Sequence, residues 1–231
     1  MLKLTRRALL AGAAAVLALS AVVAQPRPSS AADPVTLKVG YIPILAAAPL
    51  FVLDAEGWVK DAGVKLELIR FEAGTAAIQA LAGGQADILY AGVSPTLVAR
   101  SKGVDVSVIA NSAVEELALV ARGDLAAAAT KAGTGEAVKQ FAASQGRKVK
   151  IGAQPAGSVP DIVLKHWIHK VAKLDPELIE IVPMGIEKTQ QALLARAADA
   201  AMIREPTITV VRRADASAAV LALGGEMFPA Q

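Results

Sequence analysis

The stretch from Phe71 to Pro95 does most to limit what this chain can fold into. An apolar run ending at Phe71 stops at Gly74-Thr75, and Ala76 to Leu81 then carries Ile78 and Leu81 at helical spacing. Gly83-Gly84-Gln85-Ala86 breaks that helix before Asp87-Ile88-Leu89-Tyr90, and Gly92-Val93-Ser94 opens a further helix at Pro95. Two short strands joined through a helix point to a parallel βαβ connection, because antiparallel neighbours need only a hairpin. Small residues at both strand-to-helix turns leave backbone N–H groups free at the helix starts. In an open parallel sheet these turns share the carboxyl end, where ligands bind and where helix N-termini favour anionic or hydrogen-bond-accepting groups. The Gly83 to Asp87 turn falls at the opposite end of the sheet.

The same alternation extends in both directions. Val35 to Tyr41 has strand periodicity, Leu50 to about Gly57 reads as a helix with Pro49 in its first turn, and Val64 to Phe71 is a second strand. After the Pro95 to Lys102 helix, closed by Gly103, the alternating valines Val104, Val106 and Val108 with Ile109 predict a fourth strand. The pattern lapses over Asn111 to Glu116, and a strand begins at Leu117; the crossing to a second lobe is placed here. Ala126 to Gly135 is alanine-rich and stays open, and Glu136 to Gln145 is a helix closed by Gly146. The alternation then restarts with strands Val149 to Ala153, Ile179 to Val182 and Asp199 to Ile203, separated by helices Val159 to Ala172 and Ile186 to Ala198. The fold class is therefore α/β, with two lobes, each a mostly parallel sheet flanked by helices.

The N-terminus has a different character. Lys3, Arg6 and Arg7 precede an uncharged segment from Ala8 to Ala24, and small residues follow at Val22-Val23-Ala24 and Ser30-Ala31-Ala32. Residues 1–32 read as an export signal with two candidate cleavage points and a Pro/Ser/Ala-rich linker. Thr5-Arg6-Arg7-Ala8-Leu9-Leu10 also fits a twin-arginine signal. A membrane anchor is the competing reading, at the lower limit of spanning length. Residues 1–32 hold Lys3, Arg6, Arg7 and Arg27 and no acid, so the remainder keeps 20 of the 24 basic residues against 21 acids, a net charge of −1. The basic excess thus belongs to the leader and gives no indication of nucleic-acid binding. With 0 cysteines the chain has no disulfides, no thiol nucleophile and no thiolate metal site.

Each candidate for chemistry has a plainer reading. Gly157-Ser158 opens a helix with Asp161 in its first turn, which fits either a ligand-oxygen site or an ordinary N-cap. His166 and His169 share a spacing seen in metal sites but lie between Lys165 and Lys170, which favours a structural or surface role. Arg204-Glu205-Pro206 follows a strand end: Arg204 could pair with a carboxylate, sulfonate or phosphate, or the pair could be solvated. Gly83-Gly84 and Gly224-Gly225 lack a following Lys-Ser or Lys-Thr and read as turns. No Ser-His-Asp pattern or nucleophile elbow is present. An aromatic content of 3% argues against a stacked aromatic box and for a small, oxygen-rich solute.

Taken together, Gly40-Tyr41-Ile42-Pro43, Gly83-Gly84-Gln85-Ala86-Asp87-Ile88, Gly157-Ser158 and Arg204-Glu205-Pro206 resemble the substrate-binding proteins of ABC importers. The most similar branch serves nitrate, sulfonate, taurine and thiamine precursors. The resemblance runs from about Val35 to the end. It implies a two-lobed, type II periplasmic binding protein that acts as a monomer without a cofactor or metal. Such a protein closes about the Ala113 to Glu116 region on one small-molecule solute and delivers it to an ABC permease. Carried over by position, the ligand contacts fall on Pro43 and Leu45, Gly74 and Thr75, Gly92, Val93 and Ser94, Gly157 and Ser158, and Glu205. The implied organisation is residues 33–112 for lobe 1, 113–212 for lobe 2, and 213–231 for a segment returning toward lobe 1. Members of this family continue well past the equivalent of Pro229, so lobe 1 is expected to be incompletely covered and to expose apolar surface. Two rivals share the shape: a cytoplasmic thiamine-pyrimidine synthase, which as a family uses a cysteine-rich motif, and the effector-binding domain of a transcription regulator.

Overall fold

The computed structural model describes residues 33–229; residues 1–32, read above as an export signal and linker, lie outside the described residues. The first sheet is built from β1 (Val35–Tyr41), β2 (Val64–Arg70) and β3 (Ile88–Tyr90), all parallel and in the order β2-β1-β3. Helices α1 (Ala48–Ala55) and α2 (Trp58–Asp61) connect β1 to β2, α3 (Gly74–Ala82) connects β2 to β3, and α4 (Val93–Ser101) follows β3. Gly40 is required where the sheet meets its neighbours: a Cβ there would lie 2.5 Å from Leu89 Cδ2 and 2.9 Å from Phe71 Cε2.

The second sheet contains β4 (Leu117–Ala121), β5 (Val149–Ala153), β6 (Ile179–Pro183), β7 (Ala200–Arg204) and β8 (Ala219–Leu223), in the order β6-β5-β7-β4-β8. β5 is parallel to β6 and β7, whereas β4 runs antiparallel to both β7 and β8. Helices α5 (Gly123–Ala132), α6 (Thr134–Gln145), α7 (Val159–His166), α8 (Ile186–Leu194), α9 (Thr207–Ala214) and α10 (Gly224–Met227) cover it. Strand alternation explains its stability. Leu117, Leu119 and Ala121 of β4 and Ala200 and Met202 of β7 face a core shared with Leu125, Ile151, Leu164 and Trp167. The intervening Ala118, Val120, Ala201 and Ile203 face a second layer with Leu193 and Val211. Both faces of the central strands β4 and β7 are therefore buried in this mixed sheet.

The two lobes repeat one structural device. Asp87, just before β3, accepts the Lys38 amide at 2.8 Å and returns its own amide to Lys38 O at 2.8 Å. Asp199, just before β7, does the same with Lys150, at 2.8 and 2.9 Å. The Gly83 to Asp87 turn is thus a brace at the amino end of the sheet. Asp199 carries more: Arg147 grips it through two bonds of 2.7 and 2.8 Å, and its side chain is only 12% exposed. Burial pushes the Asp199 carboxyl up, but Arg147 and the Lys150 amide outweigh this and hold it below its ordinary value. A depressed folded value means that the stabilisation is fully present above the unfolded value of about 4 and is lost as pH falls through the lower folded value. Asp199→Asn is expected to lower stability by about 1 to 3 kcal/mol at neutral pH. Denaturant unfolding should show the gap to the native chain closing below about pH 4; a gap constant from pH 7 to pH 3 would contradict the brace.

Three expectations need correction. Residues 104–113 form no strand, and Val108 and Ile109 are exposed; Arg100 Nη1 instead donates to Val106 O at 2.6 Å and holds the segment beside α4. The edge of β3 is unpaired among the described residues, but a cavity separates it from this segment, and alternation alone makes no strand without ladder hydrogen bonds. Second, β8 pairs with β4 in the second sheet, so Ala219–Leu223 does not return toward lobe 1. Third, the helix predicted from Val159 to Ala172 is α-helical only to His166 and continues as a π turn over Trp167–Val171. The open segment Ala126 to Gly135 is helical to Ala132. Exposed large hydrophobics include Val35, Leu45, Phe51, Val52, Trp58, Leu97, Val98 and Ile109 in the first lobe and Ile162, Val171, Val210 and Leu223 in the second.

Candidate functional site

The carboxyl ends of both sheets meet. Ile42 and Ile44, after β1, pack with Ile186 at the start of α8, flanked by Ala46 and Ala91. The Leu45 amide donates to Glu205 O at 3.0 Å and the Ile186 amide to Glu72 O at 3.3 Å, so backbone bonds also join the lobes. Arg70 bonds Glu72 at 2.8 Å and pairs with Glu187 of the other lobe, while Glu72 Oε2 accepts the Glu187 amide at 3.2 Å.

Three helix N-termini converge at this meeting. A Cβ on Gly74 would lie 2.8 Å from Pro95 Cγ, which sets α3 against α4. A Cβ on Gly92 would lie 2.3 Å from Val159 Cγ2, which sets α4 against α7 of the second lobe. One on Gly157 would lie 3.9 Å from Thr75 Cγ2 and from Val98 Cγ2. Gly74, Thr75, Gly92, Gly157 and their neighbours are therefore brought together across the lobes. Neither α3 nor α4 has an acidic residue in its first turn, where the helix dipole favours an anion.

The other anticipated residues are placed differently. Pro43 is half-buried between Ile42 and Ile44, and Leu45 is exposed, its amide held by Glu205 O. Val93 is exposed on the rim, and Ser94 is half-buried in the first turn of α4. Ser158 is buried, and its hydroxyl accepts the Asp161 amide at 3.4 Å; Asp161 in turn accepts the Gly157 amide at 3.0 Å and meets Lys165 Nζ at 2.8 Å. This is the N-cap reading of Gly157-Ser158, with the start of α7 neutralised from within. The Glu205 carboxylate accepts from both the amide and the hydroxyl of Thr209, so it braces the first turn of α9. His166 stacks edge-on against Phe228, with centroids 4.6 Å apart.

A cavity of about 630 Å³ runs along β3 from Asp87 to Gly92, walled by the crossing segment 105–114. Most of it is space beside the edge of β3 that has no strand partner among the described residues. Only the end formed by Ile44, Gly92, Val93, Val159 and Glu116 belongs to the meeting of the lobes. Behind Glu116 lies a cluster that sequence reasoning missed. Arg204, at the end of β7, is 4% exposed and donates from Nη1 to Glu116 Oε1 at 2.7 Å; Nη2 lies 3.5 Å from Gln154 Oε1. Burial lowers the Arg204 guanidinium from its ordinary value, and Glu116 opposes that shift. Arg204 was visible as a strand-end cation, but nothing in the sequence links it to a carboxylate 88 residues away.

Two lobes of α/β structure whose strand ends meet over a cleft define the periplasmic-binding-protein fold. Residues 30–214 match the NMT1-like family, and the chain belongs to it. It is 26% identical over 181 residues to a curated Brachyspira hyodysenteriae protein described as an ABC transporter periplasmic binding protein, covering 78% of this chain and 51% of the relative. The chain thus spans about half the length of that relative. Among solved structures it is similar to the nitrate-binding protein NrtA of Synechocystis PCC 6803, with a TM-score of 0.68, 16% identity, and coverage of 84% of this chain and 52% of that one. It is also similar to the alkanesulfonate-binding protein SsuA of Xanthomonas axonopodis pv. citri bound to MOPS, with a TM-score of 0.61, 22% identity, and coverage of 84% and 62%. The ligand-binding component of an ABC-type import system from Staphylococcus aureus, with zinc bound, gives a TM-score of 0.66 at 17% identity, covering 85% and 63%.

Proposed function

We propose that this chain is an exported, non-enzymatic solute-binding protein that closes its lobes on a small anionic organic solute, of sulfonate, taurine or nitrate type, and delivers it to an ABC permease. The observation that carries the reading is the convergence of α3, α4 and α7 at the meeting of the lobes, with no acid in the first turn of α3 or α4. Backbone amides at helix starts bind oxyanions without a dedicated cation. The short, irregular chain around Ala113 to Glu116 provides the hinge, and contacts from both lobes stabilise the closed population. Family membership and the binding-protein relatives support the same class.

The test is a thermal-shift panel on the full chain with ethanesulfonate, taurine, nitrate, a hydroxymethylpyrimidine and benzoate. A true ligand at about a hundred times its Kd adds about 2.7 kcal/mol. That corresponds to a Tm rise of about 5 to 10 °C for a chain of this size. Flat melting curves for every compound would rule the reading out.

A further inference from the structure

We propose that Glu116 is a built-in stand-in for the solute: its carboxylate occupies the Arg204 guanidinium, and an oxyanion entering the cleft takes its place. The proposal rests on the solute-binding reading above and names the group that would anchor the anion.

Arg204 is an under-served cation. A guanidinium has five N–H donors, and a buried one is costly unless they are matched. Here Nη1 has one short bond to Glu116, Nη2 has one long contact to Gln154, and buried Nε has no partner. Glu116 Oε2 is also buried without a partner. One carboxylate in a single-point contact leaves both groups incompletely matched, where a two-pronged guanidinium–oxyanion pair would serve them better.

The geometry decides which member of the pair moves. Arg204 is the last residue of β7 and is paired in register with Leu117 of β4. Glu116 sits just outside β4, after a bend at Val114-Glu115 and a segment with no regular structure. Its side chain is 25% exposed and lines the cavity, whereas Arg204 lies behind it at 4%. Beyond the crossing segment, Glu116 and Val159 are the second lobe's part of the cavity wall, and Val159 begins α7. An oxyanion entering beside Val159 would meet Glu116 first and Arg204 behind it. Releasing Glu116 frees the crossing segment, which ties anion capture to the hinge.

The test uses the full chain as native protein, Glu116→Gln and Arg204→Lys, each verified as folded by its circular-dichroism melt. Each is titrated calorimetrically with ethanesulfonate, taurine and nitrate, and with ethylammonium as the opposite charge. Glutamine keeps the shape but removes the competing charge, so the anion bound by the native chain should bind Glu116→Gln about tenfold more tightly. Arg204→Lys keeps the charge but loses the planar fork, so it should bind that anion about tenfold more weakly. Ethylammonium should bind none of the three. If Glu116→Gln binds the anion no better, if Arg204→Lys matches the native chain, or if ethylammonium binds the native chain and is lost in Glu116→Gln, the stand-in role is wrong. A native chain that binds an anion with both variants unaltered keeps the solute-binding reading and removes this inference alone. If the native chain binds no anion, acquisition of binding by Glu116→Gln supports the stand-in, and silence in both ends it together with the reading it rests on.

Discussion

Gly92→Ala is expected to weaken solute binding by about 10- to 100-fold. The added Cβ would lie 2.3 Å from Val159 Cγ2 and 3.4 Å from Val159 Cβ, so the lobes cannot approach as they do here. Val159 cannot step aside easily, because it is buried in the core of the second lobe and its Cβ as well as its methyl meets the added atom. The backbone raises no objection: Gly92 has φ −70° and ψ 156°, a region open to any L-residue. The cost therefore falls on the packing of α4 against α7, at the overpacking scale of about 1 to 3 kcal/mol. Val159→Ala in the same chain removes the offending methyl and should restore affinity, so a double-mutant cycle reads the coupling directly. Small-angle scattering should show a larger radius of gyration for Gly92→Ala with ligand than for the native chain with ligand. Unchanged affinity and equal radii would show that the Gly92–Val159 contact is not part of the binding state.

Closure at one glycine also marks how far a sequence can be read. The Gly92 turn was legible because Tyr90 ends an apolar run and small residues open a helix. The partner of Gly92 was not, since Val159 lies 67 positions on and only the folded lobes bring them together. Ser158 could be read either as ligand contact or as cap, and its bond to the Asp161 amide shows the cap. Glu205 was anticipated as a ligand contact from its place at a strand end. A hydroxyl and amide four residues later take its carboxylate first, a local competition that pattern alone does not rank. The alternation at Val104 to Ile109 is as regular as that at Val35 to Tyr41. Only the second is hydrogen-bonded to a neighbour, Val64–Arg70, in register along its whole length, whereas a cavity keeps the first from the edge of β3. Ala219–Leu223 fails for the opposite reason: a five-residue apolar run has no diagnostic period, and its pairing with β4 depends on contacts about a hundred residues apart.

The unequal packing of the two lobes leads to the second large effect, on stability. Leu119→Ala should cost about 2 to 5 kcal/mol, the range for leucine truncation in a sealed core. Leu119 is 0% exposed in the middle of β4, between β7 and β8, and packs in the cluster that includes Leu125, Leu164 and Trp167. A hole there opens onto no solvent, and close-packed neighbours relax only in part. The drop in Tm should be about 5 to 15 °C for a chain of this size. Leu89→Ala removes the same atoms from the middle of β3, yet Leu89 is half-buried and already lines the cavity beside that strand. Truncation there enlarges existing space rather than creating a void, so the cavity cost largely disappears and a loss of about 1 to 2 kcal/mol remains. Chemical denaturation of the two variants side by side separates these cases. Equal losses would mean that the first lobe is as tightly sealed as the second, which the exposed Phe51, Trp58, Leu97 and Ile109 on its surface argue against.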